Sequence, residues 1–162
     1  MGEALIVRPA RDADADAIAA VHVRAWQEAY AHLLPADFLA GLDVAARAAR
    51  WRAIVAEPEV AVFVASVDGV LVGWASAGPG RGDAPVRDRE LEGIYVLAAH
   101  HGSGAGQALL DAVVGDAPAF LWVAERNPRA EAFYRRNGFR RDGAAKHEPV
   151  GPHGIDAVRM VR

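Results

Sequence analysis

Between Glu90 and Leu110 the chain runs through an apolar, β-rich segment that ends near Leu97. It then makes a turn with three alternating glycines, Gly102, Gly104 and Gly106, and passes straight into an amphipathic helix. Few folds accommodate such a join. A helix that opens on a glycine turn leaves its first backbone N–H groups without intrahelical partners and presents the positive end of its dipole. Phosphate oxygens seat well there. A pyrophosphate-bearing cofactor is therefore the first expectation. The two commonest phosphate patterns are excluded by one residue. Gln107 stands where a phosphate-loop lysine would follow the glycines, and where the dinucleotide pattern needs its third glycine.

The rest of the sequence predicts a mixed α/β order. Leu5 to Pro9 reads as a first strand. Asp12 is placed to cap a helix from about Ala13 to His32, stopped by Pro35, with Ile18, Val21, Ala25, Trp26, Tyr30 and Leu33 recurring at helical spacing. A second helix starts at Asp43, with Val44, Ala48, Trp51 and Val55 on one face, and ends at Glu57-Pro58. Val60 to Ser66 and Val70 to Ala77 read as strands joined by Asp68-Gly69, a strong hairpin signal. A loop spans Gly78 to Arg87, and Glu90 to Leu97 is the next strand. The helix from about Gly104 to Val114 carries a stripe of Ala105, Ala108, Leu109, Ala112 and Val113. Ala119 to Ala124 is a further strand. Asn127 caps a helix with Pro128 at its first position, Gly138 ends it, and two strands flank the loop at Pro149 to Gly154. This is an α+β (mixed α/β) pattern, expected to form a single domain over residues 1–162.

Composition narrows the function. The 162 residues include no cysteine, which removes thiol nucleophiles, disulfides and thiolate metal sites. Net charge is −3, so no nucleic-acid surface is expected. The start, Met-Gly-Glu-Ala-Leu-Ile-Val, lacks the basic opening and long apolar core of a signal peptide. No apolar run approaches the roughly 20 residues of a membrane helix. A cytoplasmic protein without membrane contact is expected. The six histidines do not fall at metal-ligand spacing, and the neighbours His100 and His101 would point apart, so no metal site is expected.

Two segments together resemble one family. His101-Gly102-Ser103-Gly104-Ala105-Gly106 is similar to the pyrophosphate loop of the GNAT superfamily of acyl-coenzyme A-dependent N-acyltransferases, whose pattern is Gln/Arg-x-x-Gly-x-Gly/Ala. Asn127 to Phe139, with Ala130, Phe133, Tyr134 and Gly138, resembles the family's second signature, Asn-x-x-Ala-x-x-Phe-Tyr followed by Gly-Phe. Residues 90 to 141 carry the match. His101 departs from the usual Gln or Arg; because the loop holds phosphate mainly through main-chain N–H groups, this change should weaken cofactor binding rather than abolish it.

The resemblance implies a mostly antiparallel sheet of six or seven strands flanked by helices, and transfer of an acetyl group from acetyl-CoA (coenzyme A) to a primary amine in a ternary complex. It places His101, Gly102, Ser103, Gly104, Ala105, Gly106 and Gln107 at the pyrophosphate. A bulge at Gly93 would open the strand so that the pantetheine arm pairs with Ile94 and Val96, Val96 N–H facing the thioester carbonyl. Asn127 and Ala130 would also contact the cofactor. Glu90 is the favoured base, eleven residues before His101, with Glu92 its competitor on the same strand face. A base is needed because an alkylammonium, with a pKa near 10, has no free electron pair at neutral pH. Tyr134 would protonate the departing thiolate. Trp26 and Tyr30 are candidates for the acceptor pocket, as is Trp74, although aromatics at helical spacing also serve as core. The acceptor would be a small-molecule or peptide amine, its determinants lying in Trp26 to Leu42 and Pro149 to Gly154. A homodimer is compatible with the family. Two other readings stay open at this point: a non-catalytic acyl-CoA sensor or assembly module, and a different nucleotide-binding protein.

Overall fold

The computed structural model describes residues 4–162; Met1 to Glu3, the first part of the start read above, lie outside it. Seven strands form one sheet in the order β1-β2-β3-β4-β5-β7-β6. They are β1 (Leu5–Pro9), β2 (Ala61–Val67), β3 (Val70–Pro79), β4 (Arg89–Val96), β5 (Phe120–Ala124), β6 (Arg140–Val150) and β7 (His153–Val161). Every neighbouring pair is antiparallel except β4 and β5. The helices are α1 (Ala15–Ala29), α2 (Ala36–Ala40), α3 (Val44–Ala56), α4 (Ala105–Val113) and α5 (Pro128–Arg136).

Side-chain alternation divides the core between the two sheet faces. Ala65, Ala75 and Leu91 point to one face and pack with Leu109, Leu110 and Val113 of α4 and with Tyr134 of α5. Val64 and Trp74 point to the other, where they meet Ile18 and Ala19 of α1 and Ala48 and Trp51 of α3. A third cluster joins Tyr30, Leu34 and Leu39 to Ala124 of β5 and to Val150 and Ile155 of the last hairpin. The Phe38 and His153 rings stand 5.1 Å apart. The two segments expected to determine the acceptor, far apart in sequence, thus meet over one end of the sheet.

The Asp68-Gly69 hairpin is present, with φ of 50° and 83° at its two turn residues. Three expectations change. Helix α1 begins at Ala15, not Ala13, and ends at Ala29, with Tyr30 as C-cap. Asp12 opens a short 3₁₀ turn ahead of it, and Asp14 stands at the N-cap position without a side-chain bond into the helix. The Asp14 carboxylate accepts the Arg11 N–H at 2.7 Å and pairs with the Arg8 guanidinium at 2.8 and 2.9 Å. Pro35 does not end α1 but precedes the short α2, where its fixed φ suits an N-cap. In α4 the buried stripe is Ala105, Leu109, Leu110 and Val113, and Ala112 is exposed. The stripe is turned because α4 lies across β1 to β4, the span it must cover.

Candidate active site

The parallel pair is where the sheet comes apart. β4 and β5 are paired only at Glu90–Phe120 and Leu91–Leu121, and beyond that they diverge. The cause sits in β4. Its register against β3 jumps from Ala77–Leu91 to Ser76–Gly93, so Glu92 is an extra, bulged residue. Gly93 beside it is tightly packed, since a Cβ would lie 3.1 Å from the Trp74 ring and the ring would have to give way. Past the bulge, Leu97 N–H bonds the Val72 carbonyl at 2.9 Å. Antiparallel alternation then turns the N–H and C=O of Gly93 and Tyr95 toward β3, and those of Ile94 and Val96 toward the gap.

The gap is a narrow cleft through the sheet. It is lined by Leu91 to Tyr95 of β4, Trp122 and Val123 of β5, Asn127, Ala130 and Tyr134 of α5, and Tyr30. Of the two glutamates, Glu92 lines it and Glu90 does not. Glu90 is 2% exposed and held by Arg81. The Arg81 backbone N–H and Nε donate to its Oε1 at 3.0 and 3.1 Å, and an Arg81 terminal nitrogen donates to its Oε2 at 2.6 Å. The same guanidinium lies 3.8 Å from Glu92, whose side chain is 21% exposed. Arg81 was not legible as a site residue. Its only sequence cue is the Gly-Pro-Gly-Arg-Gly-Asp loop that folds it back over β4.

Tyr134 is buried, with its ring among Phe133 and Phe139. Burial, reinforced by Tyr95, pushes its phenol above the ordinary tyrosine range, so it holds its proton at neutral pH. Tyr95, which the sequence reading did not single out, donates to or accepts from Tyr30 at 2.7 Å between the two hydroxyls. Both are held in the neutral form, chiefly by burial.

In the turn between β4 and α4, Gly102 and Gly104 have φ of 79° and 92°, and nothing lies within 4 Å of where their side chains would be. Gly104 is the N-cap of α4 in the left-handed conformation. Ser103 Oγ accepts the Ala105 N–H at 3.3 Å, and Ala108 is the first residue to bond back within the helix, to Gly104. The N–H groups of Gly106 and Gln107 have no carbonyl to reach inside α4. Gln107's side chain is committed elsewhere, to Asp111 at 2.9 Å and Asn137 at 2.8 Å. The His101 ring turns back to the strand, where Nε2–H donates to the Val96 carbonyl at 3.0 Å; the acceptor fixes the tautomer. Asn127 caps α5 by accepting the Ala130 N–H at 3.3 Å, and Pro128 occupies the first turn. Trp26 and Tyr30 stand edge to face, 5.0 Å between centroids. Trp74 belongs to the buried α1–α3 cluster. Among the described residues no three His, Cys, Asp or Glu side chains converge as a metal site, and no helix is long and apolar enough to cross a membrane.

The sheet is thus held open at its one parallel pair, with main-chain groups of β4 facing the gap and a glycine-turned helix following that strand. Known proteins supply the family. Residues 17–139 match the acetyltransferase (GNAT) family. An uncharacterized N-acetyltransferase of Mycobacterium tuberculosis is 33% identical over 156 residues, covering 92% of this chain and 97% of its own. YuaI of Bacillus subtilis, also an uncharacterized N-acetyltransferase, is 36% identical over 129 residues, 75% of this chain and 73% of its own. Among solved structures, the ribosomal-protein-alanine N-acetyltransferase of Brucella melitensis superposes with a TM-score of 0.74 at 25% identity, over 97% of this chain and 98% of its own. The chain belongs to the GNAT acetyltransferase family.

Proposed function

We propose that the protein moves an acetyl group from acetyl-coenzyme A to a primary amine inside the β4–β5 gap, by direct attack. The observation that carries this is the β4 edge at Ile94 and the Val96 N–H, unpaired with β5 and opening onto a cleft whose walls hold an accessible carboxylate, Glu92, and a protonated phenol at Tyr134. The residues fit the donor. Gly102 and Gly104 leave open space before the first turn of α4, and the Gly106 and Gln107 N–H groups are free to take pyrophosphate oxygens. Solved relatives by fold carry the same ligand class, among them an N-acetyltransferase of Thermoplasma acidophilum in complex with coenzyme A. Acetyl-coenzyme A supplies the activated acetyl thioester.

The chain's residues divide the work. The N–H and C=O of Ile94 and the N–H of Val96 hold the extended arm as an added strand would be held. Val96 N–H donates to the carbonyl oxygen as charge builds there. Glu92 drains the proton from the incoming ammonium, directly or through water. The sequence favoured Glu90 for this; we assign Glu92, because Arg81 engages both oxygens of Glu90 and buries it behind the cleft. Glu90 instead positions Arg81, which steadies Glu92. Tyr134 gives its proton to the sulfur. The phenol carries its proton at neutral pH, and the thiolate forming beside it is the group that draws that proton off. Trp26, Tyr30 and Tyr95 form the acceptor wall.

The test is coenzyme A thiol release from acetyl-coenzyme A by the purified protein across a panel of primary amines. Turnover with any amine class supports the reading. Tight coenzyme binding with no release for any amine would replace it with the sensor reading.

A further inference from the structure

Four main-chain groups of β4 face the gap, the N–H and C=O of Ile94 and those of Val96. None of them pairs with β5, because the β4–β5 ladder stops at Leu91–Leu121. One of the four is nevertheless taken. The Val96 carbonyl, on the last residue of β4, accepts Nε2–H of His101 at 3.0 Å. The fold does not need this bond. The Val96–Leu97 peptide is held from its other side, where Leu97 N–H bonds the Val72 carbonyl at 2.9 Å. The turn that carries His101 has main-chain bonds of its own: His100 N–H reaches the Leu97 carbonyl at 2.9 Å, and His101 N–H the Ala98 carbonyl at 3.1 Å. His101 has φ of −62° and ψ of 139°, a backbone shape open to any residue. The residue is exposed, so without the ring the carbonyl would bond water at little net loss. What the ring changes is the set of acceptors left for a ligand. A chain that lies along β4 as an added strand uses donors and acceptors of that edge in turn. With His101 in place, the acceptor at the end of the strand is withdrawn from it.

We infer that His101 is a positioning residue that withholds the Val96 carbonyl from the coenzyme's arm, so that the arm is held through Ile94 and the Val96 N–H alone and the coenzyme binds less tightly than the bare β4 edge would hold it. The inference rests on the reading above that the arm lies in the β4–β5 gap. The ring is a competing donor. An amide N–H of the arm reaches that carbonyl only by evicting Nε2–H, and exchanging one neutral donor for another gains almost nothing. The weaker hold falls on acetylated and spent coenzyme alike. It therefore raises KM and eases product release, and it adds nothing to the chemical step.

Calorimetry of the full chain tests this with two ligands: coenzyme A, and pantetheine, which carries the arm without the pyrophosphate and is measured in competition with coenzyme A. His101→Ala frees the carbonyl for the arm and should tighten both ligands by about 2- to 10-fold, the net effect of one hydrogen bond. His101→Gln, whose amide N–H can take the same carbonyl, should stay within about twofold of the parent. In thiol-release kinetics, His101→Ala should lower KM for acetyl-coenzyme A and leave kcat no higher. A ring that only supported the turn would, on removal, weaken both ligands. A ring that gripped phosphate would weaken coenzyme A and leave pantetheine unchanged. Either result overturns the inference, and so does an affinity that stays the same for both. The transferase reading fails separately and on the parent protein: coenzyme binding with no thiol release for any amine sinks it while the affinity comparison still stands, and no coenzyme binding at all removes both.

Discussion

A single guanidinium separates the two glutamates that the sequence could not distinguish. Arg81 clamps Glu90 with three donors and only brushes Glu92 at 3.8 Å. Glu92→Gln should therefore lower kcat at neutral pH by about 10- to 1,000-fold. The deficit should shrink above about pH 9, where a growing share of the amine is already neutral. A kcat–pH profile of both proteins checks this, and an undiminished deficit at high pH would contradict the role. Glu90→Gln should act first on stability, costing about 1–3 kcal/mol in urea unfolding as a buried, charge-assisted set of hydrogen bonds is weakened. Tyr134→Phe should reduce kcat by about 10- to 100-fold and leave coenzyme A affinity nearly unchanged, since the ring still fills its place between Phe133 and Phe139. His22 gives a stability test. Burial, with Arg47 and Arg50 adding repulsion, lowers its pKa to about 3. The unfolded chain takes up a proton there below about pH 6.5 while the folded chain does not, so stability falls as pH drops through that value. The loss from this group should be about 2 kcal/mol between pH 6.5 and 5. In His22→Phe this component should vanish, as seen in urea midpoints at the two pH values.

At the level of elements, the join of β4 to α4 depends on backbone shape more than on side chains. Gly104 caps α4 with φ of 92°, a conformation costly for any residue with a Cβ. Gly104→Ala should cost about 1–2 kcal/mol and weaken coenzyme A binding by calorimetry, because strain there tilts the free amides of the first turn. These features were readable in advance: alternating glycines between a β-rich run and an amphipathic helix imply the turn. The bulge was half readable. Gly93 marked it, but that Glu92 is the extra residue follows from the β3 register, which no local pattern encodes. Likewise the cap at Asn127 followed from local chemistry, whereas the start of α1 at Ala15 did not, because Arg8 of β1 reaches across to Asp14.

Across the whole molecule, the gap makes the sheet two parts joined by two residue pairs of β4 and β5. A ligand that pairs with Ile94 and Val96 fills that seam and binds only the folded chain. Coenzyme A at 100 times its dissociation constant should thus add about 2.7 kcal/mol to stability and raise the thermal midpoint. Differential scanning calorimetry over a coenzyme A series checks it, and a midpoint independent of concentration would be incompatible with the seam as the binding place.

Local pattern alone determined the strand and helix order, the glycine turn, the α5 cap and the tyrosine that follows it, because each is written in residues only a few positions apart. Tertiary structure decided which glutamate stays accessible and where His101 and Gln107 spend their side chains. Those outcomes depend on guanidinium groups and rings arriving from distant segments, and hydrogen-bond geometry between such segments exists only once the sheet has brought them together.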